Sequence, residues 1–374
     1  MRRGINYYFL LLAALLLGAG SLFLATLSAP ASMQAFGNTS YYIFHQLIAI
    51  GIGLVMALIA FKIPLHFLKK MSLPLLALNV VLLIIVFLPI LGTTHWGARR
   101  WISFFGMSLQ PSEFLKITAI LYLSAWLSTK FSENHKRGLA ALAKKTWQHF
   151  IKIYLPFLFL LGTISAFLYF QKDMSTLGVI ILSLLAVYFA AGTPLWHTVL
   201  SFLGGAGGAL LLIKIEPYRM QRFLVFLHPD TDPLGIGFQL RQSLLAIGSG
   251  GIFGKGLGMS IQKFNFLPQA MGDSVFPIIG EELGIVGCAA IIILFLLFFW
   301  QGIKIAKNST DKFGKLAAMG IVVWLSAQTF MNIASSVGFW PLAGIPLPFF
   351  SYGGSHIMAE LAAVGLLLNI SKNG

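Results

Sequence analysis

Apolar residues run through this chain in long stretches, separated by short polar segments. A helix crossing the hydrocarbon of a bilayer needs about 20 mostly apolar residues. That window predicts ten such helices, near residues 7–27, 42–61, 73–91, 112–128, 152–170, 176–192, 195–214, 274–300, 314–338 and 355–370. The fourth is the most polar, with Glu113 and Lys116 near its start. Two connections are more than turns. Residues 92–111 set Trp96, Arg99, Arg100 and Trp101 ahead of Phe104 and Phe105. That mixture suits a segment lying in the membrane interface or an aromatic belt anchor. Residues 215–273 are too many for a bare connection, and the apolar run Phe223 to Leu227 argues against disorder. The pattern predicts an all-α integral membrane protein. It is a single polytopic domain over residues 1–374, with about ten transmembrane helices and a long structured extracytoplasmic loop between helices 7 and 8.

Composition agrees: 57% of the 374 residues are hydrophobic and 10% charged, against about 25% charged in soluble chains. The formal net charge of +15 matters through its placement. With ten spans, Arg2, Arg3, Lys69, Lys70, Lys136, Arg137, Lys144, Lys145, Lys304, Lys307, Lys312 and Lys372 share one side. The positive-inside rule makes that side cytoplasmic, with both termini on it. No basic helix or aromatic-interleaved basic stripe lies outside the spans, so nucleic-acid binding is not expected. Cys288 is the single cysteine, which excludes an internal disulfide. The eight histidines show no metal-ligand spacing. Arg2-Arg3 and Ala29-Pro30-Ala31 flank the first span as in a cleaved signal, but its apolar region is longer than the usual 7–15 residues, so a retained helix is expected.

Residues 267–284, Leu-Pro-Gln-Ala-Met-Gly-Asp-Ser-Val-Phe-Pro-Ile-Ile-Gly-Glu-Glu-Leu-Gly, carry the most informative chemistry. Asp273 stands where a polar loop enters a long apolar segment, and a carboxylate at a bilayer is costly without a partner or a task. Lys116, one turn inside its helix, either snorkels to the interface or meets a carboxylate from another helix. Asp273 is at a compatible depth. Such a pair would keep Asp273 ionised and fit to act as a general base. Glu281, Glu282 and Glu360 suggest a polar interior or cation site. Adjacent glutamates diverge by about 100° on a helix, so Glu281 and Glu282 read best as packing or capping partners. The glycine-rich residues 248–258 are no P-loop, because Ser249 and Gly256 stand where Gly and Ser or Thr are required. They read as a tight turn, or as bare amides and Lys255 facing a diphosphate. Gly204-Gly205-Ala206-Gly207-Gly208 predicts close helix packing.

Several segments together resemble a known family. They are Gly97-Ala98-Arg99-Arg100-Trp101-Ile102, Gln110-Pro111-Ser112-Glu113, Asp232-Pro233-Leu234-Gly235-Ile236-Gly237-Phe238-Gln239, the run Gln242 to Gly251, Gly254-Lys255-Gly256-Leu257-Gly258, Gly280-Glu281-Glu282-Leu283-Gly284 and the run Gly344 to Ser355. The chain resembles the FtsW/RodA group, the shape, elongation, division and sporulation (SEDS) proteins, and its Arg-Arg-Trp-Ile form leans toward the division branch. The resemblance implies a ten-helix peptidoglycan glycosyltransferase in the bacterial cytoplasmic membrane. It would polymerise lipid II, an undecaprenyl-diphosphate-linked disaccharide peptide, beside a class B penicillin-binding protein and membrane lipids. The family's essential aspartate maps to Asp273, its lysine after Gln-Pro-Ser-Glu to Lys116, its loop tryptophan to Trp101, and its Gln-Pro-Asp-Leu-Gly-Thr aspartate to Asp173. The chain departs from the pattern at Gln269 (usually Glu), Gly272 (Thr), Lys172 (Pro), Ser175 (Gly), and His356 and Glu360 (small or neutral polar).

The implied reaction is inverting glycosyl transfer, with Asp273 taking the proton of an acceptor sugar hydroxyl. The diphosphate leaving group needs positive charge nearby. Candidates are Arg99, Arg100, Arg219, Arg222 and Lys255, or a divalent cation such as magnesium or manganese. Trp101, Glu113, Asp173 and Ser351 complete the expected substrate contacts. Two other functions fit the sequence: a flippase for a lipid-linked precursor, and a scaffold that only recruits a partner synthase.

Overall fold

The computed structural model describes residues 4–88, 92–95, 98–104, 107–130, 149–228, 235–264 and 266–373. Arg2, Arg3, Trp96, Gly97, Phe105, Lys136, Arg137, Lys144, Lys145 and Asp232-Pro233-Leu234, singled out above, lie outside them.

All ten expected spans are helices. They are α1 (Tyr7–Phe36), α2 (Tyr41–Lys62), α3 (Leu65–Ile85), α4 (Pro111–Lys130), α5 (Leu155–Phe170, entered through a π turn), α6 (Met174–Ala190), α7 (Leu195–Ile215), then α10 (Val275–Asn308), α11 (Lys312–Ser336) and α12 (Gly354–Asn373). Among the described residues, eight are long and apolar enough to cross a membrane. Of the other two, α6 is apolar but short, and α4 carries Glu113, Lys116 and Lys130. α1 runs on through Pro30, which membrane helices tolerate when neighbours satisfy the freed carbonyl. α3 begins and ends earlier than its hydropathy suggests. Its first turns hold His66, Lys69 and Lys70, and Pro89 disfavours helix at the residue before it.

The protein is not purely helical. Residues expected to lie as an interfacial segment form a three-stranded antiparallel sheet, β1 (Gly92–His95), β2 (Ala98–Phe104) and β3 (Met107–Leu109), in the order β1-β2-β3. Thr93 pairs with Trp101 and Ile102 with Leu109. Threonines, aromatics and isoleucine suit a pleated surface, but strands this short vanish in a window sized for helices. The Ser355 hydroxyl ties the sheet to α12, accepting from Gln110 N at 2.8 Å and donating to Ser108 O at 3.2 Å.

The long loop is structured as expected, with α8 (Pro217–Leu227) and α9 (Ile236–Gly250). Its glycine-rich part repairs a break in α10. Gly284 is non-helical (φ 67°, ψ −166°), which parts Glu281 O and Glu282 O from Ile285 N and Val286 N. The loop supplies all four partners: Lys255 N and Gly256 N donate to those carbonyls, and Gly251 O and Ile252 O accept from those amides, at 3.0–3.1 Å. A Cβ at residue 284 would lie 2.4 Å from Ile252 O, so only glycine fits. The small-residue run in α7 behaves differently from expectation. A Cβ on Gly204, Gly205, Gly207 or Gly208 would meet nothing within 4 Å among the described residues.

Candidate active site

Four helices begin around one cavity of about 280 Å³. Gln110 and Glu113 stand at the start of α4, Asp173 and Thr176 at α6, Gly272 and Asp273 just before α10, and Gly353 to His356 at α12. Arg100 and Trp101 of β2 close one wall. Helix N-termini carry partial positive charge and unpaired amides, so their convergence favours bound anions. The same field stabilises the carboxylates already there. A larger cavity of about 430 Å³ lies at the opposite face, beside Asn6, Lys304 and Ser371, and among the described residues no carboxylate or imidazole lines it.

Asp273 is half-buried in the turn ahead of α10. Its backbone is fixed from several sides. Asn332 Nδ2 donates to Asp273 O at 2.9 Å and to Ile345 O at 2.8 Å. Ser351 Oγ donates to Gly272 O, and Tyr352 N to Met271 O. Gln239 Nε2 stands 3.4 Å from the carboxylate and 3.1 Å from Ser274 Oγ. Gly344, in the left-handed region at φ 63° that favours glycine, stands between two charged groups. A Cβ there would lie 3.7 Å from both Arg222 Nη1 and Asp273 Oδ2. Burial pushes the Asp273 carboxyl above its ordinary range, opposed by Gln239, its own backbone amide, the Arg222 charge and Ser274. A raised pKa makes the carboxylate a stronger base.

Lys116 neither snorkels nor pairs with Asp273. It is 3% exposed, and its ammonium lies 2.7 Å from Glu113 Oε2, one turn back on the same helix. It also donates to Gln328 Oε1 at 2.9 Å and stands 4.9 Å from the Trp324 ring. The i,i+3 spacing made this pair available on one helix face; an ammonium sealed inside the bundle takes the nearest carboxylate. Gln328 extends the network by donating to Pro346 O at 3.0 Å and toward Glu360 Oε1 at 3.5 Å. Lys116 therefore lies beneath the cavity rather than in its wall.

Arg100 and Asp173 hold the opposite rim. Arg100 donates to Gln171 O and Lys172 O, and its Nη1 stands 4.0 Å from Asp173 Oδ1. Asp173 Oδ2 accepts from Ser112 Oγ and Gln110 Nε2, each at 3.3 Å. Lys172 is left-handed (φ 57°). Its N–H bonds Tyr169 O, and Asp173 N bonds Leu168 O, the paired bonds of a Schellman end to α5. Proline, usual at this position in the resembling family, has neither the N–H nor the φ.

Of the expected site residues, Asp273, Arg100, Trp101, Glu113 and Asp173 share the cavity. Lys116, Arg99, Arg219, Arg222, Lys255 and Ser351 are not among its lining residues. Arg99 reaches Phe87 O from the exposed side of β2. Arg219 stacks on Tyr169. Arg222 bonds Leu342 O behind Asp273. Lys255 pairs with Glu281 at 2.8 Å, and its amide is used in the α10 repair rather than left bare. Ser351 is wholly buried and braces the turn before Asp273. Glu281 gathers Lys255, Ser260, Ile261 N and Gln262 N, and Glu282 faces Lys263 at 3.5 Å, so both glutamates fasten the loop to the helix. Among the described residues no three His, Cys, Asp or Glu side chains cluster to hold a metal ion. Gln328 and Asn332 escaped the sequence reading, and Gln239 entered it only within a motif, with no role. Gln328 and Asn332 are four apart in an apolar span, a spacing that puts two buried amides on one face.

The pattern of the FtsW/RodA/SpoVE cell cycle protein family matches residues 6–374. A probable peptidoglycan glycosyltransferase FtsW of Coxiella burnetii is 37% identical over 359 residues, covering 95% of this chain and 93% of that protein. Stage V sporulation protein E of Bacillus subtilis is 35% identical over 362 residues, 97% and 95% of the two chains. A chain of a peptidoglycan synthase complex that coordinates polymerization and crosslinking superposes with a TM-score of 0.75 at 24% identity, covering 98% of this chain and 97% of that one. The rod shape determining protein RodA of Thermus thermophilus gives 0.69 at 23% identity, covering 98% and 96%. The membrane-spanning helical architecture and the nearly full-length match lead to one family: this chain belongs to the FtsW/RodA/SpoVE cell cycle proteins.

Proposed function

We propose that this protein is an inverting peptidoglycan glycosyltransferase that polymerises lipid II at the outer face of the bacterial cytoplasmic membrane. The observation that carries the reading is a fixed carboxylate, Asp273, opening on a cavity where four helix N-termini converge. The relatives' names point to the same chemistry. A lipid-linked diphosphate is anionic, and its prenyl chain needs hydrocarbon beside the site. In the reaction, Asp273 accepts the proton of the acceptor sugar's 4-hydroxyl as that oxygen attacks the donor's anomeric carbon. The bond from that carbon to the diphosphate breaks on the opposite face, and its electron pair leaves with the diphosphate oxygen. Arg100 and the helix N-termini offset the charge developing there. Glu113, Lys116, Asp173, Arg222 and Ser351 act as positioning residues, and Trp101 offers an apolar wall to the sugars. Arg99, Arg219 and Lys255 serve the surface and the loop.

Both termini face the cytoplasm in this reading, and a class B penicillin-binding protein is the partner that crosslinks the product. The test is reconstitution of the full chain with that partner in liposomes supplied with lipid II. Glycan polymer longer than the disaccharide unit is expected; purified, folded complex that leaves lipid II unconsumed contradicts the proposal.

A further inference from the structure

The glycine-rich loop that repairs α10 is built inside out for a segment bathed in water. Its most exposed side chains are apolar: Ile252, Phe253, Leu257, Met259, Ile261 and Phe264 are 52–81% exposed. Its charges face inward. The Lys255 ammonium lies 2.8 Å from Glu281 Oε1 and the Lys263 ammonium 3.5 Å from Glu282 Oε1, with Lys263 and both glutamates buried. Ser260, also buried, donates its hydroxyl to Glu281 Oε2. A loop in water carries its charges outside. A contiguous exposed apolar surface marks contact with lipid or with another protein.

Three observations favour lipid. The backbone here does not depend on water: nine of the eleven amides from Gly254 to Phe264 donate within the protein, those of Ser260, Ile261 and Gln262 to the two buried glutamates. Irregular backbone at membrane depth is tolerated only when it is satisfied in this way. Depth agrees. Twenty positions separate Gly284 from Lys304, whose ammonium stacks on Trp300 at 4.0 Å, a basic and aromatic pair that suits a membrane boundary. That length of helix spans about 30 Å, the thickness of the hydrocarbon, so the break and the loop bonded to it lie at the other boundary. The exposed face is also continuous with that of the spanning helix. Ile285 and Val286, bonded to Gly251 O and Ile252 O, are exposed, as are Ile293 and Leu296 further along α10. On α9, exposure passes from Arg241, near the Asp273 end, to Leu244 and Leu245 nearer the break.

We infer that residues 252–264 are seated in the membrane leaflet that borders the Asp273 cavity, with their apolar side chains among phospholipid acyl chains. The loop is then an interfacial anchor rather than a solvated connection between helices. This seat requires only that α10 crosses the bilayer, whatever reaction the cavity performs. Starting from Cys288→Ala, which removes the single cysteine, Phe253→Cys, Met259→Cys and Ile261→Cys are each labelled with a nitroxide in the full chain. Each is reconstituted without a partner in liposomes of phosphatidylethanolamine and phosphatidylglycerol. Power-saturation EPR reads collisions with oxygen, which concentrates among acyl chains, and with a water-soluble nickel chelate. Leu296→Cys, on the exposed face of α10, is the lipid reference, and Asn38→Cys, exposed in the turn between α1 and α2, the aqueous one. Labels at positions 253, 259 and 261 are expected to favour oxygen over nickel several-fold, as at 296, with the ratio reversed at 38. Nickel contact equal to that at 38 means a solvated face that awaits the soluble part of a protein partner, and overturns the inference. Exclusion of both reagents means that a second copy of the chain covers the face, and overturns it too. Three separate positions keep the test decisive where one variant fails to fold.

Discussion

Lys116→Met removes the ammonium that lies 2.7 Å from Glu113 and 2.9 Å from Gln328. Both charged side chains are at most 4% exposed, so water cannot replace the lost partner. Removing one member of a buried ion pair costs about 3–5 kcal/mol, because the other charge stays buried and uncompensated. Removing both is far milder: with Glu113→Gln beside Lys116→Met no charge is stranded, and the pair replacement is expected near 0–2 kcal/mol. Each single change strands one charge, so the double-mutant cycle should show a coupling of at least about 4 kcal/mol. Equilibrium unfolding in mixed micelles, followed by tryptophan fluorescence, reads the stability, and lipid II polymerisation reads function on the same samples. A Lys116→Met cost below about 1 kcal/mol, or additive single effects, would refute the buried-pair reasoning. The activity arm separates two roles. A positioning lysine predicts that the double variant regains part of the activity lost in Lys116→Met. A lysine that touches the reacting atoms predicts no recovery.

Two further outcomes follow from the site. The raised Asp273 carboxyl must be ionised to act as a base, so the acid limb of the polymerisation rate lies above the ordinary carboxylate value of about 4; a limb at that ordinary value contradicts the desolvated base. The stability sign is the opposite one. A raised native pKa contributes stability below the unfolded value that is lost as pH rises through the native value, so Asp273→Asn is at least as stable as wild type at neutral pH by thermal unfolding. Lys172→Pro installs the residue usual in the resembling family, yet it removes the N–H bonded to Tyr169 O and cannot adopt φ 57°. A loss of at least about 1 kcal/mol is expected in the same unfolding assay, together with weaker activity as Arg100 loses its carbonyl dock; a stabilised variant would show that the α5 end takes another conformation.

The ten spans were legible because bilayer thickness imposes a length and an apolar composition that a single sequence displays. Asp273 was legible for the same reason, as a charge where charge is expensive. Its surroundings were not. Lys116 could be placed at the right depth but not paired, since Glu113, Asp273 and the interface all lay within reach of one flexible side chain. The positive groups could not be ranked for the same reason. Arg100 faces the cavity while Arg99 does not, because a strand's pleat sends neighbours to opposite faces, and no strand was expected there. Lys255 looked poised for a diphosphate until the break at Gly284 made its loop the missing partner of α10. Polar groups inside a helical bundle answer to tertiary contacts that spacing along one helix does not reveal.

The central claim is that the Asp273 carboxylate accepts the proton in glycosyl transfer. The most direct measurement is polymerisation of lipid II by the reconstituted complex carrying Asp273→Asn, an isosteric change that keeps the turn and removes the base. The account predicts loss of polymer to background, with folding, membrane insertion and partner binding retained. Full polymerisation by the folded Asp273→Asn protein would contradict it.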